Sequence, residues 1–217
     1  MRRLRKTVLT TAAMLVIVLG ATAARALEVL VTVDASSVAN STPGSLNYQF
    51  SAGNPTAQTA QVVVSDFSST ALNLGGITYT NSASGGPLPA DVTILNNPAV
   101  LSNRANQAVT FGASSSMSFS LTFTGNALTT PSTADSTFYF SLLDGSNQSI
   151  FGAYTLPHLT ITIPASGSGV PVISSIPLIT AVVPEPGSIG LTTMATMALA
   201  LVLSRKTRRC RDRQRDR

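Results

Sequence analysis

Acid–base chemistry in this chain would have to run through one histidine, His158, which follows Pro157 at the head of an alternating segment. A serine activated by it would need a carboxylate behind the imidazole, and Asp135 and Asp144 are the candidates. Neither the G-x-S-x-G elbow nor the H-E-x-x-H zinc motif occurs. In a chain so rich in serine such a trio arises by chance, and a lone histidine at a strand head reads as a structural residue. Glycoside hydrolysis needs two carboxyl groups at a fixed separation. The acids here are scattered and define no pair, and no tryptophan offers a platform for a sugar ring. Asp144-Gly145-Ser146-Asn147 carries oxygen ligands but lacks the spacing of a calcium loop, so it reads as a hairpin turn. The sole cysteine, Cys210, sits among arginines near the C-terminus and leaves the rest of the chain without a thiol or a disulfide. This inventory predicts no enzyme activity, no metal and no cofactor.

The positive charge is equally local. Of 14 Lys and Arg residues, all but Arg104 fall within the first 25 or the last 13 positions. Residues 27–183 carry Arg104 against six acids (Glu28, Asp34, Asp66, Asp91, Asp135 and Asp144), a net charge of −5. Nucleic-acid binding requires clustered cations to displace phosphate counterions. The central region has no such cluster, so no nucleic-acid partner is expected despite the overall charge of +5. Arg104 either pairs with one of the acids or meets an anionic sugar.

The N-terminus has the three parts of a secretory signal. Arg2, Arg3, Arg5 and Lys6 precede an apolar stretch from Val8 to Gly20, and Ala24-Arg25-Ala26 is an A-x-A site for signal peptidase. Residues 1–26 are therefore expected to be a signal helix removed after Ala26. The C-terminus is built for a membrane too. Pro184-Glu185-Pro186-Gly187 leads into Ser188–Ser204, 17 residues without a charge, followed by Arg205, Lys206, Arg208 and Arg209. Seventeen residues lie at the short end of a membrane-spanning helix, with the flanking cations placed to snorkel among lipid headgroups. Positive flanks mark the cytoplasmic side, so both ends agree that residues 27–183 are exported.

Between these segments the apolar residues recur with a period of two, the spacing of a half-buried strand. In Ser116–Thr124 Met117, Phe119, Leu121 and Phe123 alternate with serine and threonine. Val29–Val33, Leu46–Phe50 and Leu159–Ile163 read the same way, and Gln61–Phe67 carries the β-branched run Val62-Val63-Val64 of a well-buried strand. Thr137–Leu143 and Ser149–Tyr154 flank the Asp144-Gly145 turn, and Gly76–Thr80, Ala90–Leu95 and Ala108–Phe111 are further strands. Ser41–Gly44 and Ser84–Pro89 read as loops. Nine or ten short strands in residues 27–164 predict an all-β fold, an antiparallel β-sandwich of jelly-roll type. Residues 165–183 begin with Ala165-Ser166-Gly167-Ser168-Gly169 and read as a linker or stalk, with a last strand as the alternative.

The C-terminal layout carries a resemblance. Val183-Pro184-Glu185-Pro186-Gly187, an apolar span and an arginine cluster resemble the sorting signal of PEP-CTERM proteins. The prolines hold the backbone around Glu185 extended, the shape a protease-like cleft accepts. The resemblance implies an exosortase as processing partner, a bacterium with an outer membrane, and delivery to the cell surface or to an exopolysaccharide matrix. Val31–Ser37 and Gly44–Phe50 are also similar to a group of short PEP-CTERM proteins with an uncharacterised β-rich exported domain. The expected role is structural or adhesive. A carbohydrate-binding module would instead show exposed aromatics on a concave sheet face, with Tyr48, Tyr79 and Tyr139 as candidates. A small hydrolase would place His158 beside a serine and a carboxylate.

Overall fold

The computed structural model describes residues 26–100 and 102–184. Ala26 and Pro184 are the outermost residues described. Ala24, Glu185, Pro186, the apolar run 188–204 and the stop residues Arg205, Lys206, Arg208 and Arg209 lie outside the described residues, as do the expected signal and transmembrane helices. Among the described residues no helix is long and apolar enough to cross a membrane.

The described residues are all-β and antiparallel. Ten strands follow in order: β1 (Leu27–Ala35), β2 (Thr42–Ala52), β3 (Gln61–Thr80), β4 (Ala83–Gly85), β5 (Val92–Leu95), β6 (Asn103–Thr124), β7 (Ser136–Asp144), β8 (Leu159–Ile163), β9 (Val172–Ser175) and β10 (Ile179–Val182). A single 3-10 turn at Asn126–Leu128 is the only helical element among the described residues. The segments Gly76–Thr80 and Ala108–Phe111 are not separate strands. They are the ends of β3 and β6, which run to 20 and 22 residues.

These two long strands pair with each other and are shared by two arms of the sheet. The second half of β6, residues 115–123, has β1 on one side and the first half of β3 on the other. With β10 beside β1, and β5 and β4 beyond β3, this is the β1 arm. The first half of β6, residues 103–111, lies between β2 and the second half of β3, and β2 leads on through β7 and β8 to β9. This is the β2 arm. Residues 172–182, which the sequence left between a stalk and a last strand, supply β9 and β10, one edge strand to each arm.

The core lies where the arms meet. Val29, Val31 and Val33 of β1 and Met117, Phe119, Leu121 and Phe123 of β6 are buried, as the alternation predicts. From the β2 arm come Leu46, Tyr48, Phe50, Phe138, Phe140, Leu159 and Ile161. Rings join the two sets. Tyr48 and Phe140 pack on Phe119 with centroids 5.6 and 5.2 Å away, and Phe50 and Phe138 pack on Phe123 at 5.8 and 5.9 Å. Such edge-to-face pairs contribute about 0.5–1.5 kcal/mol each beyond the area they bury.

The transition between arms is a corner with its own chemistry. Pairing of β3 with β6 slips between Thr70 and Leu72, and Ala71 and Ser114 take left-handed φ values of 52° and 55°. The buried Ser115 hydroxyl lies 2.8 Å from both the Ala71 and the Gly112 carbonyl oxygens and donates to this pair. A Cβ on Gly112 would sit 2.6 Å from the Ala71 carbonyl oxygen, so only glycine lets the strands approach this closely.

Two stability predictions follow from the core and the corner. The Tyr48 hydroxyl is buried with no hydrogen-bond partner among the described residues, and an unmet buried donor costs about 1–3 kcal/mol. Tyr48→Phe is therefore expected to raise the thermal midpoint by about 2–4 °C. A lowered midpoint in calorimetry would show that the hydroxyl is satisfied. Gly112→Ala is expected to destabilise by on the order of 2 kcal/mol in denaturant titration through the backbone clash at the corner.

Candidate functional site

β7 outlasts its neighbour at the end where His158 sits. Pairing of β7 with β8 stops at Phe140 and Leu159, so Leu142 would lose its partners on that side. Two residues replace them. Ile150 donates its backbone N–H to the Leu142 carbonyl at 3.1 Å, and Leu142 donates its own N–H to His158 Nδ1 at 3.1 Å. The imidazole is buried, 5.2 Å from the Phe151 ring centroid.

This geometry decides the tautomer. Nδ1 accepts from a backbone N–H, so the neutral ring carries its proton on Nε2 and donates it to Ser149 Oγ, 2.8 Å away. A general base must offer Ser149 a lone pair at that position, with a carboxylate at the other nitrogen. The arrangement has the opposite polarity, and among the described residues the hydrogen bonds of the His158 ring include no carboxylate. Asp135 instead accepts from Ala165 N–H at 2.7 Å. Asp144 Oδ1 accepts from the N–H groups of Ser146 and Gln148 at 2.8 and 2.9 Å, an Asx turn.

The turn at Asp144 is formed, with two differences from the sequence expectation. The left-handed residue is Asn147, at φ 60°, rather than Gly145. Ser149–Tyr154 makes one bridge, Leu143 to Ser149, and no strand: after Ile150 gives its N–H to Leu142 the chain runs on through turns and bends. Among the described residues no group of three or more His, Cys, Asp or Glu side chains comes together.

The tyrosine candidates separate by face. Tyr48 is wholly buried, which corrects its placement on an exposed surface: it shares the inward register of Leu46 and Phe50. Tyr79 is 37 % exposed but lies opposite Ala105 on the core side, its hydroxyl donating to the Gly85 carbonyl at 2.6 Å. Tyr139 alone points to the outer face, in register with Gln49 and Thr160.

That outer face of the β2 arm holds a feature that sequence reasoning missed. Thr78, Asn106, Asn47 and Ser141 fall in one row across β3, β6, β2 and β7. Thr80, Arg104, Gln49 and Tyr139 form the next row. A cleft of about 400 Å³ opens over Thr78, Thr80, Arg104, Asn106, Asn47 and Ser141, walled by Leu143, Asn147 and Leu156. Asn47 donates to the Asn106 side-chain oxygen at 3.4 Å. Arg104 is exposed, and its side chain forms no ion pair or hydrogen bond among the described residues. The pairing of Arg104 with an acid of its own domain is thus not seen. The only signal in the sequence was Arg104 itself. The row depends on strand register, which periodicity does not give.

Burial lowers the His158 pKa to about 4 from an ordinary 6.5. The folded chain then binds fewer protons than the unfolded chain, so His158 stabilises fully above about pH 6.5 and the effect is lost as pH falls through about 4. Unfolding free energy is expected to drop by on the order of 2–3 kcal/mol across that window. His158→Asn, which keeps an acceptor for Leu142 N–H, should flatten this component of the pH profile. An unchanged profile would place the titration elsewhere. No protein-family model matches the chain, and neither the curated proteins nor the solved structures contain a significant match to it.

Proposed function

We propose that this protein is an exported surface or matrix protein, sorted through its C-terminal Pro184-Glu185-Pro186 signal by an exosortase. The layout of that C-terminus carries the reading: a proline-fixed acidic motif, an uncharged 17-residue span and a cluster of cations, in that order and without spacers. The A-x-A site at Ala24 and Ala26 supports export by way of signal peptidase. The membrane lipid is a transient partner that holds the span until processing, and the destination is the cell surface or the extracellular matrix of a bacterium with an outer membrane. On this reading the two arms are the layers of a jelly-roll β-sandwich. The ring contacts that join Phe119 and Phe123 to the β2 arm support that architecture.

The role of the exported domain on this reading is structural or adhesive. One observation favours a second reading, a carbohydrate-binding module acting on exopolysaccharide: the cleft lined by amide and hydroxyl groups over Arg104. Ligand sites of this kind combine a few placed polar groups with apolar walls. The hydrolase reading through His158 has no comparable support, since the imidazole presents a proton to Ser149 rather than a lone pair.

The sorting reading is tested by weighing the mature species from a host that encodes an exosortase. The expected product begins at Leu27 and lacks the arginine-rich tail. Recovery of a chain that runs through an uncut Pro184-Glu185-Pro186 to Arg217 would reduce the C-terminus to a plain membrane anchor.

A further inference from the structure

The geometry points to the Arg104 cleft as a site for a saccharide that bears a carboxylate, with Arg104 as the residue that reads the acid. This inference rests on the carbohydrate-binding reading and narrows it to a ligand class. Three observations carry it.

First, Arg104 is the only cation in residues 27–183, where six acids stand against it. None of those acids forms an ion pair with its side chain among the described residues, so its five N–H donors are not taken up by a carboxylate of its own domain. A guanidinium presents a planar fork that matches a carboxylate in bidentate fashion. Second, its position is built. It is the second residue of β6, opposite Thr80 at the end of β3 on one side and Gln49 of β2 on the other, so its backbone is held by ladder pairing on both sides. Third, its surroundings suit hydroxyl groups. Asn47, Asn106, Thr78, Thr80 and Ser141 floor the cleft with neutral donors and acceptors, while Leu143 and Leu156 offer apolar wall to the faces of a ring.

The acid nearest in sequence to the cleft wall, Asp144, already receives two backbone N–H groups within its own turn. None of the other acids is paired with Arg104 among the described residues, and at physiological salt charges more than about 8 Å apart are largely screened. Contact with Arg104 is not screened in that way. Recognition by this cleft is therefore short-ranged: a chain without hydroxyls gains only the ion pair, and one without the carboxylate leaves Arg104 unused.

Galacturonate oligomers, neutral gluco-oligomers and oligoglutamate serve as probes, titrated calorimetrically into the full-length protein. Galacturonate oligomers are expected to bind saturably and more tightly than either control. Arg104→Gln should weaken that binding by about tenfold, Arg104→Lys less, because a point charge keeps attraction but loses the fork. Both variants should keep the wild-type thermal midpoint, since the exposed side chain has no partner to lose. Thr122→Ala, on the β1 arm, should bind as wild type. Undiminished binding by Arg104→Gln, or equal binding of the neutral oligomers, would overturn the assignment of Arg104 while leaving a carbohydrate module in place. Equal binding of oligoglutamate would overturn the saccharide part. Absence of saturable binding for both sugars would overturn this inference and the binding-module reading together, without touching the sorting reading.

Discussion

The bend shared by β3 and β6 is the constraint on which the rest of the molecule depends. Each strand belongs to both arms, so the direction it takes at Ala71 and at Gly112–Ser115 sets how the arms face one another. Two left-handed residues, a glycine with no room for a Cβ and one buried hydroxyl between two carbonyls accomplish it. Bulges increase local twist and redirect strands, and three register shifts along this one pair concentrate that effect. Without the bend, Phe119 and Phe123 would project from one face of a flat sheet with no facing layer to pack against. With it, they meet Tyr48, Phe50, Phe138 and Phe140 and close the core.

The same demand that buried backbone groups be paired explains the polar residues inside. Asn103 receives Ser82 N–H and donates to the Phe50 and Val100 carbonyls. Gln107 receives Leu88 N–H and donates to the Gly75 carbonyl. Asn96 receives Ala60 N–H and donates to the Gln58 carbonyl and to Ser136. Each amide fastens a loop to the sheet where strand pairing has run out. His158 does the same for Leu142, with an imidazole in place of an amide. Seen beside these three, it is one of a set of side chains that complete the hydrogen bonding of interrupted strands.

These interior polar groups also explain what the sequence revealed and what it concealed. The half of β6 at Ser116–Thr124 keeps strict alternation and was legible. The half at Asn103–Phe111 puts Asn103 and Gln107 on the core side, which breaks the hydrophobic period and hides a continuous strand. Gly75-Gly76 at a register shift made the end of β3 look like a separate element. Pro43-Gly44 reads as a turn, yet Thr42 to Gly44 opens β2. Pro43 there precedes the first residue that pairs with β7, and a missing donor at such an edge leaves no ladder bond unmet. Tyr48 was legible in principle, because two positions on either side of it lie Leu46 and Phe50, and the period puts all three inside. Hydroxyl and amide residues scattered along four strands gave no comparable sign, since only register brings Thr78, Asn106, Asn47 and Ser141 into line.

Arg104 shows how little charge such a surface needs. A long-range field large enough to steer an anion would require many cations, and the domain has the opposite net sign. A single guanidinium among neutral donors acts only at contact, so it distinguishes ligands by fit more than by attraction. On the proposed reading one such cleft would bind weakly. A matrix protein in many copies against a repeating polymer would not require tight single sites, because linked weak contacts raise the effective concentration of each neighbouring contact. The hydroxyl-bearing outer face and its lone cation would suit that division of labour, with selectivity in one residue and retention in repetition.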